Sequence, residues 1–172
     1  MFEEVDISSL ELNPFSTLET DNFLITAGTG DSWNTMTAAW GFFGIMWSKP
    51  VFAIVVRDSR YTYEFLEKAK GYTVSFFSPG YKKALQFCGS HSGRNTDKAA
   101  ATGLVPVVVE PSDGLELVTF EQANMVFCCT IASKTVLEPS QFVDPKIVGN
   151  YPNKDYHSMY IGYIDQVLVQ DE

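Results

Sequence analysis

The chain has 172 residues, 45% of them hydrophobic and 14% aromatic, and a formal net charge of -9. That is enough apolar material for one compact domain over residues 1–172, and no second domain is needed. The 12 Lys and Arg residues form no long basic block and face 21 Asp and Glu, which argues against a nucleic-acid partner and against an anionic membrane surface.

The opening MFEEVDISSLELNPF begins with acids and lacks the basic and apolar regions of a secretory signal, and no apolar run approaches the length of a membrane span. Three cysteines, an odd number, suit reduced thiols better than a disulfide framework, so a soluble cytoplasmic protein is expected. Residues 1–20 read as a loosely structured lead-in or an edge strand. Residues 23–27 (FLITA) make a short strand, and Gly28-Thr29-Gly30-Asp31-Ser32 is a turn signal that predicts a hairpin. Its G-x-G lacks the third glycine and the following helix of a dinucleotide fingerprint.

Residues 33–50 set small side chains, Asn34, Thr35, Thr37, Ala38 and Ala39, among Trp33, Trp40, Phe42, Phe43 and Trp47. On a strand, Asn34, Met36 and Ala38 share one face and Thr35, Thr37 and Ala39 the other, leaving backbone amides that can bond the edge of a flat ligand. The plainer alternative is an aromatic-rich core strand with bulges or bends at Gly41 and Gly44.

Residues 51–56 form a continuous β-branched and aromatic strand after Pro50, and a helix follows that Gly71 is placed to end. With Ser59 as N-cap, free backbone N–H groups near Arg60, Tyr61 and Thr62 and the charges of Arg57 and Arg60 would suit a phosphate monoester. An ordinary capped helix with surface-paired arginines is the alternative.

Residues 72–77 alternate as a strand, Ser78-Pro79 starts a short helix that Gly89 ends, and a polar loop leads to a second helical piece at 96–102 stopped by Gly103. Strands are expected at 104–109, 115–119, 125–137 and 159–169. Many short antiparallel strands with two or three short helices make a mainly β protein, a barrel with helical decorations.

Two sharper chemical readings find little support. Ser90, His91, Ser92 and Asp97 hint at a hydrolase triad, but no G-x-S-x-G elbow surrounds either serine. Cys88, His91, Cys128, Cys129 and His157 hint at a metal site, but adjacent Cys128 and Cys129 on a strand face opposite ways. No metal and no catalytic acid or base is expected.

Several ordered motifs carry a resemblance. They are N-x-M-T with a following tryptophan (Asn34, Met36, Thr37, Trp40), Lys49-Pro50 before an apolar strand, V-R-x-S-R-Y-T over 56–62, and C-G-x-x-S-G-R-x-x-D-K over 88–98. Together they resemble the flavin reductase-like, FMN-binding split-barrel family, and its flavoredoxin-like branch in particular, from about Phe23 to about Asp165. The resemblance implies a six-stranded Greek-key split β-barrel, usually a homodimer, with FMN near the subunit interface. It further implies that residues 34–38 (Asn34, Thr35, Met36, Thr37, Ala38) line the isoalloxazine and that Arg57, Ser59, Arg60 and Thr62, beside Tyr61, hold the phosphate. Ser92, Gly93 and Lys98 would close over the cofactor, with Lys98 offering positive charge to the ring. Two departures fall in that loop: the family often has aspartate where Asn95 stands and a bulky apolar residue at Ala99 or Ala100.

The activity implied is NAD(P)H-dependent flavin reduction, with electrons passed to free flavin or an acceptor protein. The alternatives are an electron carrier reduced by a protein partner, which the acidic surface suits, and a non-catalytic module for FMN or another phosphate-bearing ligand.

Overall fold

The computed structural model describes residues 1–170; Asp171 and Glu172, the end of the expected 1–172 domain, lie outside the described residues. In chain order the elements are β1 (Glu3–Val5), α1 (Pro14–Asp21), β2 (Phe23–Thr29), β3 (Ser32–Ala38), β4 (Gly41–Met46), β5 (Lys49–Arg57) and α2 (Tyr61–Leu66). There follow β6 (Gly71–Phe76), α3 (Lys82–Ser90), α4 (Lys98–Thr102), β7 (Pro106–Ser112), β8 (Leu115–Phe120), β9 (Met125–Val136) and β10 (His157–Val169).

One antiparallel sheet runs in the order β3-β2-β6-β9-β10-β5-β4, with β1 added to the end of β10, while β7 and β8 form a separate ribbon. The outermost strands of that order, β3 and β4, are joined in sequence by only Ala39 and Trp40. The sheet must therefore curl until its edges meet, and because β3 and β4 share no ladder the result is a split barrel. Its seven strands, with β1 as an eighth, exceed the six expected. The 33–50 segment supplies two of them, since Gly41 starts a strand and does not bulge one. A Cβ at Gly41 would lie 2.8 Å from the Ala53 carbonyl oxygen.

Period-two alternation divides the apolar residues between two cores. Phe23 and Ile25 of β2, Phe52 and Ile54 of β5, Val74 of β6 and Phe127 of β9 point into the barrel. Leu24, Val126 and Cys128 point outward, under Leu85 and Cys88 of α3 and Leu117 and Phe120 of β8. Cys128 and Cys129 do face opposite ways, Cys129 lying in the inner core, and all three thiols are buried and free.

Residues 1–20 are more ordered than a loose lead-in. β1 is an edge strand as one alternative held, but α1 was not foreseen, although Asn13 accepts from the Phe15 and Ser16 amides ahead of a first-turn Pro14. At the other hairpin, between β4 and β5, Trp47 and Ser48 both have positive φ, 52° and 57°, where glycine or asparagine is the usual occupant. Replacing the pair with Asn-Gly is expected to stabilise the isolated chain by about 1–2 kcal/mol, read from the denaturation midpoint. An unchanged or lower midpoint would show that Trp47 compensates its backbone through its edge contact with Tyr163.

Candidate functional site

The rim of the barrel is set by the end of β5. Val56 faces the core, Arg57 follows at the strand end, and the chain turns through Asp58, Ser59 and Arg60 into α2. Ser59 is not the N-cap. α2 begins at Tyr61 with Arg60 in the cap position and no capping side chain, and it stops at Leu66, while Gly71 opens β6. The Ser59 hydroxyl is drawn away to donate to the Asp155 carboxylate at 3.1 Å. A six-residue helix contributes little dipole, so the positive field at this turn comes from guanidinium groups.

The two arginines differ in their commitments. Arg57 donates to Asp155 Oδ1 at 2.8 Å and to the Asn150 carbonyl at 2.9 Å, and lies 4.9 Å from the centroid of the Tyr151 ring. Arg60 is half-buried, and among the described residues its side chain has neither an ion-pair partner nor a hydrogen bond. Burial, and then repulsion from Arg57, lowers the pKa of Arg60. A desolvated and uncompensated cation is costly unless an anion joins it.

β3 supplies the facing wall. Asn34 is buried and donates to the Thr62 hydroxyl at 2.7 Å, which ties β3 to the first turn of α2 and leaves Thr62 fully buried. Thr35 faces away, its hydroxyl paired with that of Thr26 at 2.9 Å, and Thr37 donates to the Leu85 carbonyl of α3. From the loop after α3, Gly93 packs against β3 so closely that a Cβ would meet Asn34 Oδ1 at 1.9 Å; only glycine allows that approach. Ser92 accepts from the Arg94 amide through its hydroxyl.

Lys98 is 5% exposed and sits behind this wall, its ammonium donating to the Thr35 carbonyl at 2.7 Å and the Cys88 carbonyl at 2.8 Å. Burial pushes its pKa down to about 8, with nearby Cys88 opposing and Arg60 reinforcing the shift.

These residues frame two clefts that share Met36 and Arg60. The first, about 170 Å³, brings together Asn34, Ser59, Tyr61 and Thr62 from β3 and the α2 turn with Ser92, Gly93 and Lys98 from the loop side. The second, about 200 Å³, has Thr37, Ala38 and Arg57 of the expected set. Of that set only Thr35 lines neither cleft, because its side chain is buried against Thr26. Sequence reasoning did not assign Arg94, Ser90 and His91 in the first cleft, or Trp40 and Val55 in the second, and left the role of His157 there open. Arg94 stands inside the 88–98 motif, so a signal for it existed; Val55 and His157 reach the cleft through non-local strand pairing.

His157, 7% exposed, shares a 2.7 Å hydrogen bond between its Nδ1 and the Tyr151 hydroxyl, and its ring lies 5.4 Å from that of Trp40. Burial first, and Arg57 second, push its pKa from 6.5 down to about 4, so it is neutral at physiological pH. Between those values the unfolded chain binds the proton more readily than the folded one, so stability falls as pH drops through that window. The loss expected from this group between pH 7 and pH 5 is about 2 kcal/mol, and His157→Gln should remove it in urea titrations at each pH. The lowered carboxylates Asp155 and Glu67, with ordinary values of 3.8 and 4.5, act mainly below pH 5, so a parallel fall in both proteins between pH 7 and pH 5 would contradict the assignment.

The rim of the split barrel thus carries two joined clefts with Arg60, unpaired among the described residues, between them. The flavin reductase like domain model matches residues 15–172, and the chain belongs to the flavin reductase-like family. Solved structures agree in fold. The flavoredoxin of Desulfovibrio vulgaris (Miyazaki F) is 24% identical with a TM-score of 0.66, over 98% of this chain and 78% of that one. An FMN-binding domain of a flavin reductases-like enzyme from Shewanella baltica is 17% identical with a TM-score of 0.67, over 98% and 77%. The NADH:FAD oxidoreductase of Streptomyces globisporus is 20% identical with a TM-score of 0.62, over 88% and 76%. No curated protein matches the chain. Among the described residues, no helix is long and apolar enough to cross a membrane.

Proposed function

We propose that this chain, as one domain over 1–172, is an FMN-binding oxidoreductase that takes electrons from NAD(P)H and passes them to free flavin or an acceptor protein. The observation that carries the reading is Arg60, a half-buried cation with no partner among the described residues, set where the two clefts join. In a member of the flavin reductase-like family, a phosphate monoester is the anion that resolves it. The residues present fit that group. Arg60, with the Ser92 hydroxyl, would hold the phosphate, and the small side chains of β3 leave room for a ring near Met36 and Ala38.

Bound flavin would supply a ring that accepts a hydride, so the chain needs no acid or base of its own. Its residues orient and tune. Lys98 keeps positive charge behind the β3 backbone, Gly93 lets the loop close on Asn34, and Trp40 and neutral His157 wall the second cleft. The exposed apolar residues Phe42, Ile45, Met46 and Trp47 along β4 and its turn suit a homodimer contact beside that cleft. Three free buried thiols suit a reducing cytoplasm.

The net charge of -9 favours a second reading, an electron carrier that docks on a basic redox protein. The anaerobic visible spectrum, taken with FMN supplied and then one equivalent of NADH or NADPH, separates the two. Bleaching by a nicotinamide is the expected result; flavin bands that yield only to dithionite would overturn the reductase and leave the carrier.

A further inference from the structure

We infer that the bridge from Arg94 to Glu64, laid across Tyr61, selects the mononucleotide flavin over the dinucleotide; this rests on the flavin reading above. The fold alone does not decide the matter, since similar structures include both FMN-binding proteins and an FAD oxidoreductase. Tyr61 lines both the first cleft and a separate groove of about 330 Å³, and no other described residue lines the two together. That groove is lined by Glu64, Phe65 and Lys68, and continues past Lys68 and Ala69 into a further cavity of about 250 Å³. Space for a nucleoside therefore lies beside the phosphate end of the cleft, separated from it by one side chain and what covers it.

The cover is Arg94. Its Nη2 donates to Glu64 Oε1 at 2.6 Å, its Nη1 to the Ser59 carbonyl at 3.4 Å, and its guanidinium carbon lies 5.0 Å from the Tyr61 ring centroid. One side chain thus holds the 91–94 loop to the α2 turn at three points. FMN ends in a phosphate monoester, which can stop on the cleft side against Arg60. FAD continues through a second phosphate to adenosine, and reaching the groove requires it to part Arg94 from Glu64 and lift the loop from Tyr61. Each bridge residue is about half exposed, with side-chain exposures of 46% and 51%, so the ion pair by itself is weak. The discrimination comes from losing all three contacts at once, and about tenfold is expected.

The test is a fluorescence titration of the full chain, freed of bound flavin, with riboflavin, FMN and FAD. The parent should bind FMN about tenfold more tightly than FAD. The double variant Arg94→Ala/Glu64→Ala removes the bridge without changing net charge and should bring the two within about threefold. Should that variant unfold in a thermal melt, Glu64→Gln, one exposed group altered, must narrow the same ratio. Equal FMN and FAD affinities in the parent, or a ratio untouched by breaking the bridge, overturn the selectivity role while leaving flavin binding intact. Failure of the parent to bind any of the three flavins overturns both.

Discussion

Arg60→Ala is expected to weaken FMN binding by about 1.5–3 kcal/mol, one to two orders of magnitude in Kd, while leaving the flavin-free protein as stable as before or more so. The two halves come from one observation. Arg60 is half-buried and, among the described residues, unpaired, so in the free protein it costs solvation and returns no contact. Removing it relieves that cost, and only the complex loses an interaction. A residue whose deletion stabilises the free chain and weakens the complex is there for the ligand. Arg57→Ala should behave in the opposite way. Its guanidinium is committed to Asp155 and the Asn150 carbonyl, so the loss falls on the folded chain first, with a smaller change in FMN affinity. Equilibrium flavin titration and urea denaturation of both variants check this, and equal FMN retention in Arg60→Ala and parent would refute the phosphate role.

The second large effect concerns the barrel interior. Gly162→Ala is expected to cost about 3 kcal/mol of stability, a large share of the 5–15 kcal/mol a domain of this size holds. An added Cβ would lie 2.7 Å from the Tyr72 hydroxyl oxygen and 2.8 Å from Cys129 Cβ. Neither can withdraw. Tyr72 is fully buried and donates to the Phe52 carbonyl, and Cys129 is fully buried on β9 opposite it. β10 already shifts register against β9 between Ile161 and Gly162, so the strand has no slack left to move the glycine away. A variant within about 0.5 kcal/mol of the parent by urea melt would mean that this layer is looser than its contacts indicate.

What could be read from the chain alone follows the range of the interactions involved. β6, β8, β9 and β10 announce themselves by alternation and by turn residues at their ends, and α4 by Gly103 behind it, with φ of 75°, although it starts at Lys98 behind an Asp97 cap and not at 96. Those signals are local. The 33–50 segment was harder because a two-residue link between strands on opposite edges of a sheet has no signature until the sheet is known to curl. The α2 start was misjudged because the competitor for the Ser59 hydroxyl, Asp155, lies far along the chain. The same distance hid the second cleft, where Arg57 and His157 become neighbours only through the pairing of β5 with β10. Motif residues gathered by local turns, such as Ser92, Gly93 and Lys98, needed no such knowledge to be found together.

The position of β10 has a consequence for how the chain reaches its fold. Among the described residues it is the sole ladder joining the β4–β5 hairpin to the rest of the sheet, with Arg57 waiting for His157 and Val51 for Tyr163. During synthesis the β4–β5 hairpin is made early and then stands with its β5 edge open, carrying Val51, Ile54 and Val56, until β10 emerges. Closure of such distant pairs is slow, and in that interval an unpaired apolar edge is available to other chains. Ribosome-bound intermediates halted before β10 should therefore recruit holdase chaperones, and release of the completed strand should discharge them.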